Sequence, residues 1–115
     1  DDDFALRVLD AAGRSLALAP TLWMFEVRNG ILIARRRGRI DEVGLRRRVV
    51  DVDRLGVTID DGADLDHAMD LAQAHGLTFY DALYLELALR RRAALATLDR
   101  KLIAAAGAEG VLFDG

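Results

Sequence analysis

Segments with helical spacing alternate along this chain with apolar runs only three or four residues long. Residues 21–37, 41–54, 64–75 and 78–92 read as helices. Short strands are expected at 16–19, 56–59 and 95–97, followed by a helix at 99–106 and a last strand at 111–113. Breakers fall where these elements should stop: Pro20 after the first short run, Gly38 after the first long helix, Gly76 after the third. Asp41 sits where an N-cap belongs. Strands this short, separated by helices and lacking clean polar alternation, predict an α/β fold. The expected architecture is a small doubly wound parallel sheet with helices on both faces.

The opening of the chain is different. The chain begins Asp1-Asp2-Asp3, and residues 3–12 read as a helix ended by Gly13. A parallel α/β domain ordinarily opens on a strand, so a first strand is expected to be absent from this chain. No repeat, linker or low-complexity stretch divides the 115 residues, which predicts one domain over 1–115.

Hydrophobic residues make up 52% of the chain, enough for a core, and no apolar run approaches the roughly 20 residues of a membrane span. With no cysteine, a disulfide framework, a zinc–thiolate site and a cysteine nucleophile are excluded, and a reducing cytoplasm is the expected setting. The net charge of −3 hides segregation. Arginines cluster at 35–39, at 46–48 and at 90–92, either as solvated helix ends or as phosphate contacts.

Three carboxylates interrupt apolar surroundings. Glu26 follows Leu22-Trp23-Met24-Phe25, Asp81 opens Asp81-Ala82-Leu83-Tyr84-Leu85, and Asp99 follows Ala94-Leu95-Ala96-Thr97-Leu98. Burying a carboxylate is costly unless it is paired, hydrogen-bonded or bound to a cation. Converging, the three would form a hard oxygen site for Mg²⁺ or Mn²⁺. At 100° per residue Glu26 points with the apolar face of its helix, beside Asn29, and Gly30 leaves space one turn away. Each residue also has a plainer reading. Glu26 suits a buried hydrogen bond, Asp81 completes a capping box with Thr78, and Asp99 suits an N-cap. Thr97 either adds a hydroxyl to the site or is an ordinary strand residue.

Other groups offer less. His67 and His75 have no metal-ligand spacing and read as surface residues. Ser15, the only serine, has no base nearby, and there is no glycine-rich phosphate loop. The acidic stretch Asp60, Asp61, Asp64, Asp66, Asp70 lacks EF-hand spacing and reads as a solvated loop and helix start. Trp23, Met24, Phe25 and Ile31 exceed one buried face. Met24, Phe25 and Ile31 are therefore expected to form an interface with another subunit or protein.

Together, 19–29, Thr78-Phe79-Tyr80-Asp81-Ala82-Leu83-Tyr84 and Ala96-Thr97-Leu98-Asp99-Arg100-Lys101 resemble a PIN-domain ribonuclease, most closely the VapC toxins of bacterial toxin–antitoxin pairs. The resemblance implies a metal-dependent endoribonuclease with Mg²⁺ or Mn²⁺ held by Glu26, Asp81 and Asp99. Thr97 and Asn29 match accessory positions. It implies RNA as substrate, a cognate antitoxin as partner, a homodimer, and cleavage leaving a 5′-phosphate and a 3′-hydroxyl. The family's further aspartate, at the end of its first strand, has no match here. The alternative implied is a catalytically incomplete PIN-like binding or assembly module.

Overall fold

A computed structural model describes residues 9–11 and 17–113. Strands β1 (Leu9–Ala11), β2 (Ala17–Pro20), β3 (Thr58–Asp60) and β4 (Ala93–Leu95) form one sheet in the order β3-β2-β1-β4. The helices are α1 (Leu22–Arg36), α2 (Glu42–Arg54), α3 (Leu65–His75), α4 (Phe79–Arg91) and α5 (Arg100–Ala108). The α/β class is as expected, and the helices from α1 to α5 match their expected ranges closely.

Local chemistry sets their ends. Asp41, Asp64 and Asp99 accept the backbone N–H of Gly44, His67 and Leu102, each three residues on, as N-caps do. Thr78 does the same for Asp81. Gly76 ends α3 at φ 64°, a conformation that favours a residue without Cβ.

One expectation is corrected at the start of the chain. Leu9–Ala11, expected within a helix, form a strand; residues 3–8 and 12 lie outside the described residues. The cause is tertiary. Without β1, the facing edges of β2 and β4 would carry unpaired backbone donors and acceptors inside the domain. Leu9 pairs with both Leu18 and Leu95, satisfying both edges.

The sheet is accordingly mixed. β2 and β3 are parallel, in register Leu18↔Thr58 to Pro20↔Asp60, while β1 is antiparallel to β2 and to β4. It follows that β2, β3 and β4 all run the same way. The last expected strand is reduced to a parallel bridge between Leu95 and Leu112.

The core centres on α4, which packs on β2, β4, α3 and α5. Ala82, Tyr84, Leu85, Leu87 and Ala88 are buried on several sides of it, so it is apolar nearly all round. Glu86 is buried among them with 0% exposure. α1 packs on β2 and α2 through Trp23, Val27 and Ile31. This corrects the expected interface: Ile31 belongs to the core and Met24 packs partly buried against the core cluster, which leaves Phe25 outside at 63% exposure.

Candidate functional site

The strand directions define the relevant edge. Because β2, β3 and β4 run together, their carboxyl ends share one side, where open α/β sheets take ligands. Glu26 lies in the second turn of α1, the helix that leaves β2. Asp99 lies beyond the end of β4 as the N-cap of α5. α4 joins β4 through Arg92 alone, so its last turn is at the amino end of that strand. Its first turn, with Asp81, points back toward the carboxyl edge, about 15 Å away at 1.5 Å per residue.

A hydrogen bond ties two of these elements. The Tyr84 hydroxyl donates to Glu26 Oε1 at 2.5 Å, joining α4 to α1. Tyr84 is wholly buried and follows Asp81 by three residues, on the same helix face. Glu26 itself is half-buried, as its place on the apolar face of the helix implies. Tyr84 is missing from the residues singled out by sequence because an aromatic residue in an apolar helix looks like core. Its signal is the i+3 spacing from Asp81. Tyr84→Phe removes a hydrogen bond to a carboxylate and is expected to cost about 1.5–3 kcal/mol in urea unfolding.

Thr97 Oγ1 accepts the Asp99 backbone N–H at 3.1 Å and so shapes the loop that delivers Asp99. Asn29 is exposed, one turn beyond Glu26. The expected plain role holds for Asp99, and half of the expected capping box is present at Asp81, where Thr78 Oγ1 accepts the Asp81 backbone N–H. Asp99 Oδ1 caps α5, and Asp81 opens α4 on the Thr78 cap.

The donors fit a hard divalent cation in type, being carboxylate oxygens. Their grouping does not complete the fit. Among the described residues no three His, Cys, Asp or Glu side chains are gathered so that they could hold a metal ion.

Two further expectations change. Asp60, expected in a solvated stretch, has a side chain only 7% exposed and is held by Arg90 and Arg91 at 2.9 and 2.6 Å. Arg90 also forks onto Glu86 at 2.7 Å. Hydrogen bonds from Arg90 hold the Asp60 carboxyl far below the usual carboxylate range, and those with Glu86 and Asp60 raise the Arg90 guanidinium further above its own. Arg90 and Arg91 therefore neutralise internal acids and are not spare phosphate contacts, because buried Glu86 and Asp60 require partners. His75, expected as a plain surface residue, bonds Glu109 at 2.7 Å and links α3 to the end of α5.

A family model described as PIN domain matches residues 1–108. The chain belongs to the PIN-domain family. PIN domains are generally nucleases, often metal-dependent. A similar fold is the crystal structure of PAE2754 from Pyrobaculum aerophilum, with TM-score 0.68 and 32% identity over 76% of this chain. This PIN domain spans 64% of the length of that protein. No curated protein sequence matches it. No helix among the described residues is long and apolar enough to cross a membrane.

Proposed function

We propose that this PIN domain acts in a divalent-metal-dependent endoribonuclease, with Glu26, Asp81 and Asp99 as its acidic residues and Mg²⁺ or Mn²⁺ as the ion. The observation that carries the reading is the Tyr84–Glu26 hydrogen bond, which ties α1 to the helix bearing Asp81. If Glu26, Asp81 and Asp99 held such an ion, it would polarise a phosphoryl oxygen and lower the pKa of a water. The chain's own residues provide the frame. Tyr84 orients Glu26, Thr97 shapes the approach of Asp99, and Asn29 stands one turn from Glu26 at the surface.

The finer reading is a toxin of a toxin–antitoxin pair of the VapC type, in the cytoplasm, with a cognate antitoxin and a homodimeric state. Exposed Phe25 and Leu32, seven residues apart on α1, supply an apolar stripe for such assembly. A second reading, a binding or assembly module without catalysis, is favoured by the lack of a three-carboxylate group among the described residues.

Incubation with end-labelled RNA separates the two. Cleavage in Mg²⁺ or Mn²⁺ that stops with EDTA and yields 5′-phosphate ends is expected of the nuclease. RNA left intact at every metal concentration would assign the domain to binding.

A further inference from the structure

Eleven large hydrophobic side chains stand exposed among the described residues, and such residues scattered singly over a surface need no explanation. Three of them are set apart by position. Phe25 (63% exposed), Tyr80 (59%) and Leu98 (74%) come immediately before Glu26, Asp81 and Asp99. They are three of the five most exposed of the set, so exposure concentrates beside the candidate carboxylates.

Packing of the fold does not use the two rings. Neither Phe25 nor Tyr80 belongs to the core cluster or to the side chains packed against it, whereas their neighbours Met24 and Phe79 do. Tyr80 precedes Tyr84 by four residues and so lies on the same face of α4, one turn nearer the carboxyl edge. From that face Tyr84 reaches Glu26. Phe25 stands beside Glu26 on α1, on the side away from buried Val27.

From this placement we infer that Phe25 and Tyr80 are stacking platforms for the bases that flank the scissile phosphodiester, and that they bias the site toward unpaired purines. The inference rests on the proposed nuclease reading for the position of that bond. Electrostatics favours rings there. Carboxylates repel phosphates, and Arg90 and Arg91 on α4 are committed to Asp60. Uncharged contacts to the bases avoid that repulsion, and an aromatic side chain offers a base a matching flat face. A paired base is already stacked in its helix, whereas an unpaired one is free to lie on a ring. Purines present the larger face. Phe25 cannot hold a base and a protein at once, so assembly through the Phe25–Leu32 stripe would block this position.

The test uses short RNAs carrying one 2-aminopurine, an adenine analogue whose fluorescence falls when it stacks, titrated with the protein in EDTA. The wild type is expected to quench it. Tyr80→Leu and Phe25→Leu keep apolar bulk without a ring. Each should weaken binding about fivefold or more and reduce the quench. Tyr80→Trp and Phe25→Trp should restore both. The wild type should bind oligoadenylate more tightly than oligouridylate, and the gap should narrow in the leucine variants. In cleavage assays with Mn²⁺ their loss should fall on KM more than on kcat. Absence of quenching by the wild type would overturn the inference, as would leucine variants with unchanged affinity and purine preference. So would variants that lose self-association in light scattering but bind RNA as before, which would assign the rings to a protein interface. Quenching that depends on both rings, with the RNA left uncut in metal, would defeat the nuclease reading and leave the base platforms standing.

Discussion

Asp81→Asn and Asp99→Asn are each expected to lower RNA cleavage by at least about a hundredfold while leaving the fold intact. The amide exchange isolates charge from structure. Asp99 caps α5 through a side-chain oxygen, and asparagine caps as well as aspartate. Asp81 contributes its backbone N–H to the Thr78 cap, a group that the substitution does not touch. Glu26→Gln keeps an oxygen for the Tyr84 hydroxyl and should behave likewise. The checks are single-turnover cleavage of labelled RNA and circular dichroism on the same preparations. Wild-type cleavage by any of these variants would remove that residue from the site.

The second large effect concerns the clasp between α4 and β3. Arg90→Met leaves Glu86 without its charge partner inside the core and strips Asp60 of two hydrogen bonds. Breaking a buried pair from one side costs about 3–5 kcal/mol. That is a large share of the roughly 5–15 kcal/mol that stabilises a domain of this kind. The same clasp sets an acid limit. The folded-state pKa of Asp60 is depressed, so its contribution is fully present above the ordinary aspartate value of about 4. It is lost progressively as pH falls below that value. Urea midpoints at pH 7 and pH 3 should differ for the wild type, and that difference should shrink in Arg90→Met. Equal midpoints for wild type and variant at pH 7 would show that the clasp contributes nothing.

Much of the fold is legible in the amino-acid sequence, for identifiable reasons. Helix ends are readable because Asp41, Asp64, Thr78 and Gly76 act locally, through groups three or four residues away. The α/β class follows from alternation. The strand at Leu9–Ala11 is not readable, because its pairing is set by two distant edges and not by its own spacing. Asp60 looks solvated because its partners lie thirty residues on, at Arg90 and Arg91. Ile31 looks like an interface residue because helical angle alone does not show that α2 packs against α1 and supplies a second neighbour. Glu26, Asp81 and Asp99 stand out as charges in apolar runs. Tyr84, which fastens Glu26, carries no charge to mark it.

Whether these three carboxylates serve one divalent ion is tested most directly by diffraction from crystals of this protein grown with Mn²⁺, measured at the manganese absorption edge. The expected result is an anomalous peak within about 2.2 Å of oxygens from Glu26, Asp81 and Asp99, near the metal–oxygen distance usual for small divalent ions. Full Mn²⁺ occupancy elsewhere, or no peak at a saturating concentration, would contradict a shared metal site.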